Sequence, residues 1–231
     1  VTAGPARRPR LTLFDLDHTL LEGDSDVLWC EFLMCEGVLD RATFEPANAA
    51  MERDYRAGSV GAAAFCAFYV GTLAGRTPAQ WQPLRERFLH ARVAPRLGRA
   101  ARALVHERLA AGDLVVLTTA TNRFITELTA AELGIVHLIA TECEVGADGR
   151  FSGRTAGVLN MREGKVERLR AWLAARGAQL QAFESWAYSD SRNDLPLLQA
   201  VEHAVAVHPD DTLAAAAAAR GWPVLRLHGA G

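Results

Sequence analysis

The chain alternates short, continuously apolar runs with longer stretches in which apolar positions recur every three or four residues. LTLF (11–14), DLVVLT (113–118), VHLIAT (136–141), WAYS (186–189), HAVAV (203–207) and PVLRL (223–227) are of the first kind. Most lack a polar face, so they read as strands of a sheet covered on both sides. LGRAARALVHERLAAG, NRFITELTAAELG, EGKVERLRAWLAARG, NDLPLLQAV and DDTLAAAAAARG read as helices, several of them ending at a glycine suited to a helix C-terminus. The run Ala214 to Ala219 follows Asp210 and Asp211 as candidate N-caps and precedes Gly221, which predicts a packed terminal helix. The alternation predicts an α/β fold, a doubly wound parallel sheet with helices on both faces. ADGRFSGRTAG (147–157) places a turn signal between two extended pieces and predicts a hairpin flap near the carboxyl end of the sheet.

One crossover breaks the pattern. From Phe14 to Asp113 the chain runs on for nearly a hundred residues, where a βαβ unit needs about 30 in all. The surplus carries helical periodicity in GVLDRATFEPANAAMERDYRAG, SVGAAAFCAFYVGTLAG and PAQWQPLRERFLHARV. It predicts an α-helical cap at 22–94, inserted after the first strand of a core formed by 1–21 and 95–231. The insertion leaves the sheet at the carboxyl end of that strand, where ligands of open α/β sheets bind.

Composition narrows the setting. The chain has 231 residues, half of them hydrophobic, and a formal net charge of -2 with scattered arginines. This gives no support for nucleic-acid or membrane-surface partners. Cys30, Cys35, Cys66 and Cys143 lack C-x-x-C spacing and read as free thiols, buried where the sequence is apolar and helix-like. VTAGPARRPR does not lead into the apolar stretch of a signal peptide, and no run reaches the ~18 apolar residues of a membrane span. A cytoplasmic protein is expected; its oligomeric state stays open.

The polar residues at the strand exits carry the chemistry. FDLDHT puts Asp15 and Asp17 directly after the first strand, LTTATN puts Thr118, Thr119 and Thr121 after another, EGKVERL puts Lys165 in a helix's first turn, and YSDSRND puts Asp190, Asn193 and Asp194 after a third. Any one of these reads equally well as capping or turn chemistry. Together, on parallel neighbouring strands, they converge on one rim of the sheet. Carboxylates so gathered repel one another and lose hydration unless a cation or a reaction uses them.

In these four motifs, and over essentially the whole chain from residue 11, the sequence resembles the haloacid dehalogenase superfamily, in the branch similar to phosphoserine phosphatase. The resemblance implies a phosphatase in which Asp15 attacks phosphorus and Asp17 is acid and then base. It implies that Thr119, the backbone at Ala120, and Lys165 hold the phosphoryl oxygens. Mg²⁺ would be bound by Asp15, the Asp17 carbonyl and Asp190, with Asp194 and Asn193 one step behind the metal. Charge counting agrees, since Lys165 alone cannot offset four aspartates and a phosphate dianion. A phosphotransferase or mutase using the same aspartyl phosphate, and a non-catalytic binding module, are the other classes.

The resemblance implies a small phosphorylated metabolite as substrate. Asp24 stands where phosphoserine phosphatases carry an acid for the substrate amine, and it also reads as a helix N-cap. The family's cap arginine for a substrate carboxylate has no counterpart in AFCAFYVGTL, although Arg53 and Arg56 lie elsewhere in the cap. This disfavours phosphoserine and favours an amine-bearing phosphate without a carboxylate, such as histidinol phosphate. Trp29, Phe32, Phe65, Phe68 and Tyr69 read either as pocket lining or as cap core. His18 is expected to point away from the site on an extended backbone, and His203 and His208 read as structural or surface groups.

Overall fold

A computed structural model describes residues 8–228. Seven strands form one sheet in the order β4-β3-β2-β1-β5-β6-β7. They are β1 (Arg10–Phe14), β2 (Leu114–Asn122), β3 (His137–Val145), β4 (Phe151–Ala156), β5 (Glu184–Ser189), β6 (His203–Val207) and β7 (Val224–Leu225). All neighbours pair in parallel except β3 and β4, which form an antiparallel hairpin; the segment 147–157 supplies its turn and second arm, while the first arm is β3. Strand β1 is central, with Phe14 opposite Leu117 on one side and Tyr188 on the other. Its carboxyl end is therefore the point at which the strand order reverses, the usual ligand crevice of such sheets.

The apolar runs bury because both faces of the sheet are covered. One face packs Phe14, Val115, Leu117 and Leu138 against helical residues such as Trp29, Phe88, Val105 and Ile125; the other packs Leu11, Leu13, Val116 and Ile139 against Val166, Leu169, Leu197 and Leu213. Two expectations shift. Strand β2 runs on through Thr118–Asn122, with a register shift between Thr119 and Asn122, because β3 continues alongside and pairs with it. The last strand shrinks to Val224–Leu225, as only two of its residues find partners on β6.

Between β1 and β2 lie α1 (Ser25–Cys35), α2 (Arg41–Arg56), α3 (Ala62–Gly71) and α4 (Pro78–Phe88), followed by a π-helical turn at Leu89–Val93 and a short 3₁₀ turn at Ala94–Arg96. Their starts are written locally. Asp24 accepts the Asp26 and Val27 amides at the head of α1, Asp40 the Ala42 amide of α2, and Thr77 with Gln80 forms a reciprocal box at α4. Trp29 is fully buried, ring to ring with Phe32, Trp81 and Phe88 at 5.1–5.9 Å. Aromatic burial of this kind anchors the inserted helices to the sheet.

The later helices are α5 (Arg99–Ala110), α6 (Arg123–Glu132), α7 (Glu163–Ala174), α8 (Leu195–Ala200) and α9 (Asp211–Arg220). The alanine run is helical as expected, capped by Asp210 on the Leu213 amide and closed by Gly221 at φ 66°. The cysteines are free, Cys30 and Cys66 buried and Cys35 exposed. Among the described residues no helix is long and apolar enough to cross a membrane.

Candidate active site

The exits of β1, β2 and β5 and the first turn of α7 bring the charged motifs together. The Asp15 amide donates to the Tyr188 carbonyl at 3.0 Å, extending the β1–β5 pairing by one residue and fixing the side chain over the rim. Asp15, Lys165 and Asp194 are 6%, 2% and 3% exposed, so their charges are screened by one another rather than by water. Lys165 Nζ donates to Asp15 Oδ1 at 2.7 Å and Asp194 Oδ2 at 2.6 Å. Ser189 Oγ donates to the same Asp194 oxygen at 2.8 Å. Thr19 Oγ1 lies 3.2 Å from Asp15 Oδ2 and 3.1 Å from Asp190 Oδ1, so one hydroxyl spans the two carboxylates.

Asp17 faces β2. Its Oδ1 accepts the Ser25 amide at 2.7 Å, and its Oδ2 accepts Thr121 Oγ1 at 2.8 Å and Thr119 Oγ1 at 3.3 Å. Thr119 is fully buried, and its hydroxyl also accepts the Thr121 amide, so the cavity wall at this strand end is Ala120 and Thr121. Asn160, also fully buried, donates through Nδ2 to Thr118 Oγ1, the Thr119 carbonyl and the Ile139 carbonyl. It ties β2 to β3 where the register shifts and holds the segment leading to Lys165 against both. Gly164 is required beside it, because a Cβ there would collide with the Leu159 carbonyl.

The electrostatics record an excess of negative charge. Burial, then Asp15, then Asp194 push the Asp190 carboxyl well above its ordinary range. Asp194 is also raised, by burial first, against the opposing pull of Lys165. Burial disfavours the Lys165 ammonium, but Asp15 and Asp194 outweigh it and hold the charge more firmly than usual. Asp24 is pushed up to about 7 by burial and by Asp17, and Asp26 is raised by burial, Asp24 and Asp17. Among the described residues no group of three or more His, Cys, Asp or Glu side chains is placed so as to hold a metal ion by itself. The donor set at Asp15 and Asp190 is all oxygen and open on one side.

Two cavities adjoin here. The smaller, about 110 Å³, is bounded by Asp15, Asp17, Ala120, Thr121, Lys165 and Asp190. The larger, about 770 Å³, is rimmed by Glu22, Asp24, Glu52, Asp210 and Asp211, with Arg192 as the arginine among its lining residues. Asp24 caps α1, as one of its sequence readings expects, and also lines both cavities. One expectation changes. His18 lines both cavities, because the chain turns after Asp17 and His18 adopts φ 56° instead of staying extended. His208 also lines the larger cavity, stacked on His228 at 4.9 Å. Of the five aromatic candidates only Phe65 lines the cavities; Trp29, Phe32, Phe68 and Tyr69 pack in the apolar interior. Arg53 is exposed and paired with Asp54, and the Arg56 side chain lies outside the described residues. Tyr55 and Met161 reach the small cavity without a motif to announce them.

A parallel sheet with an acid-and-lysine site at its switch point defines a class, and the comparisons fix it. The sequence matches the haloacid dehalogenase-like hydrolases over residues 12–199, and the chain belongs to that family, in its phosphatase branch. It is 39% identical over 218 residues to a histidinol-phosphatase of Neisseria meningitidis serogroup C (strain 8013), spanning 94% of this chain and 98% of that protein. A crystal structure from Bordetella pertussis Tohama I, of a protein with unknown function, superposes with a TM-score of 0.91 at 43% identity, covering 96% of this chain and all of that one. A phospho-aspartyl intermediate analogue of phosphoserine phosphatase shares the fold, with a TM-score of 0.68 at 17% identity and coverage of 96% and 95%.

Proposed function

We propose that this phosphatase hydrolyses a small phosphomonoester whose leaving alcohol carries a positively charged amine, of the kind histidinol phosphate exemplifies. The observation that carries the reading is the larger cavity, whose lining holds six acidic residues, Glu22, Asp24, Glu52, Asp190, Asp210 and Asp211, and one arginine, Arg192, beside the aromatic surfaces of Tyr55 and Phe65. A substrate carboxylate would meet like charge there; an ammonium or imidazolium would meet its complement. The relative named histidinol-phosphatase supports the same substrate class.

In this reading the helices α1 to α4 act as a cap over the site, and Asp15, relieved of its negative neighbours, attacks phosphorus through a side-chain oxygen. The alcohol departs with a proton from Asp17, leaving an aspartyl phosphate. Asp17 then removes a proton from water, which attacks the same phosphorus, releases phosphate and restores Asp15. Its bonds from Ser25, Thr119 and Thr121 aim the carboxyl for both transfers. Lys165 and the backbone at Ala120 face the phosphoryl oxygens, and Asp194 holds Lys165 in place.

The donors fit a hard divalent cation. Asp15 and Asp190 present oxygen across a gap that one hydroxyl spans, and the raised Asp190 carboxyl marks charge awaiting neutralisation. Asp15, the Asp17 carbonyl and Asp190 would hold Mg²⁺, which keeps its remaining positions for water and substrate. When bound it neutralises charge between carboxylate and phosphate. Water is the acceptor here; no observation favours a transferase.

A phosphate-release screen over phosphorylated metabolites with Mg²⁺ present tests the substrate class. Amino-alcohol phosphates should exceed their carboxylated counterparts in kcat/KM. Preference for phosphoserine, or for neutral sugar phosphates, would overturn the charge argument.

A further inference from the structure

We propose that Tyr55, carried by α2, is a positioning residue that turns the Asn193 amide toward the phosphoryl group, coupling the inserted helices to the loop after β5. The inference rests on the catalytic reading of Asp15 and Lys165 given above.

Asn193 lines both cavities, one residue before the Asp194 that grips Lys165. Its Nδ2 donates to Tyr55 Oη at 2.8 Å, and its Oδ1 accepts Arg162 Nε at 3.1 Å. These neighbours leave the amide no choice of orientation. A guanidinium can only donate, so it selects the oxygen. The Tyr55 hydroxyl spends its one proton on Met161 Sδ at 3.3 Å, so toward Asn193 it can only accept, and it selects the nitrogen. Both partners are themselves fixed. The Tyr55 ring lies against Phe65 with centroids 4.0 Å apart, and Arg162 is held at φ 53°, a costly conformation for a residue other than glycine, three positions before Lys165.

Nδ2 carries two hydrogens, and among the described residues only Tyr55 takes one. The other is available to an oxygen in the cavity bounded by Asp15 and Lys165. A neutral donor suits that place, since it adds attraction for a phosphoryl oxygen without the desolvation of another buried charge. The hydroxyl comes from α2, whereas Asn193, Arg162 and Met161 come from the sheet side. The donor is therefore aligned only while α2 is seated.

Full-length wild type, Tyr55→Phe, Asn193→Ala and the double variant are compared with Mg²⁺ on an amino-alcohol phosphate and on p-nitrophenyl phosphate, with Asp15→Asn alongside. Tyr55→Phe keeps the ring against Phe65, and a thermal melt checks that the fold is intact. The expected result is a fall in kcat of about tenfold on both substrates, KM changing by less than about twofold, and a double variant no slower than Asn193→Ala. A role confined to packing leaves kcat of Tyr55→Phe at the wild-type value and overturns the proposal. So does a double variant in which the two losses multiply, because Tyr55 then acts independently of Asn193. Calorimetric binding of orthovanadate, a tetrahedral phosphate analogue that readily takes a fifth ligand, gives the same cycle without turnover. If Asp15→Asn still hydrolyses at the wild-type rate, the catalytic reading has failed, an outcome separate from the relation between Tyr55 and Asn193.

Discussion

The inner and outer cavities touch at Asp24, Tyr55 and Asp190, yet they are built on opposite principles. In the inner one each charged group is held by a close partner: Lys165 by Asp15 and Asp194, Asp194 also by the Ser189 hydroxyl, Asp15 and Asp190 by the shared Thr19 hydroxyl. The supports come from β1, β2, β5 and α7, whose register the buried core fixes. In the outer cavity Glu22, Asp210 and Asp211 are exposed, and Asp24 and Asp210 double as helix caps. The inner arrangement can only be lost, whereas the outer one can be retuned by changing the sign or reach of a single side chain. In the proposed reading, phosphoryl chemistry falls to the first and choice of leaving group to the second.

Asp15→Asn is the hardest blow to the inner site. It should lower phosphate release by more than about 10³-fold, because Asp17, the other carboxyl after β1, is tied to the Ser25 amide and to the Thr119 and Thr121 hydroxyls and does not take the place of the nucleophile. The fold should survive: Lys165 keeps Asp194, and Asp190 loses the negative neighbour that raises it. A melting temperature at or above the wild-type value, measured without metal, separates chemistry from collapse.

Metal removal distinguishes the cavities next. Chelation should silence wild type and Mg²⁺ restore it, and saturating Mg²⁺ should stabilise the fold by about 2.7 kcal/mol at a hundredfold excess over its Kd. Asp190→Asn should lose most of that thermal shift. Asp24→Asn should keep it, since Asp24 is not among the proposed metal ligands. Equal loss in both variants would mean that the two cavities do not divide the work.

How much of this was legible in the sequence follows the same division. A strand buried on both faces writes itself as an unbroken apolar run, so Asp15, Asp17, Asp190 and Asp194 after strands, and Lys165 at a helix start, could be placed on one rim from pattern, while their roles came from the resemblance. The inserted helices declared their existence by excess length and their starts by Asp24, Asp40 and Thr77. What sequence could not give was the direction of side chains where the backbone departs from regular form. His18 was misjudged because a turn at φ 56° replaces the extended geometry on which alternation depends. Trp29 and Tyr69 could not be told from lining residues, because helical periodicity gives a face but not what the face meets. Asn160 and Tyr55 had no motif, since their partners lie far away along the chain.

Asp24 offers the smallest effect and the finest test of the outer cavity. Asparagine caps a helix as well as aspartate, so Asp24→Asn removes the charge while sparing α1. KM for an amino-alcohol phosphate should rise by about tenfold, while KM for p-nitrophenyl phosphate should barely move. The pH dependence carries a definite sign. Asp24 titrates near 3.8 in the unfolded chain and is pushed up to about 7 in the fold by burial and by Asp17, so between those values the folded protein binds more protons than the unfolded one. Stability from this group is thus greatest below pH 4, falls as pH rises toward 7, and stays low above it. Without substrate, Asp24→Asn should melt higher than wild type above pH 7, and the difference should close on acidification toward pH 4. The same ionisation makes the site attractive to a cation, so the wild-type advantage in KM over Asp24→Asn should grow as pH rises through about 7. If the advantage is flat across that range, Asp24 serves α1 alone, and the outer cavity must read its substrate through Glu22, Glu52 or Asp210.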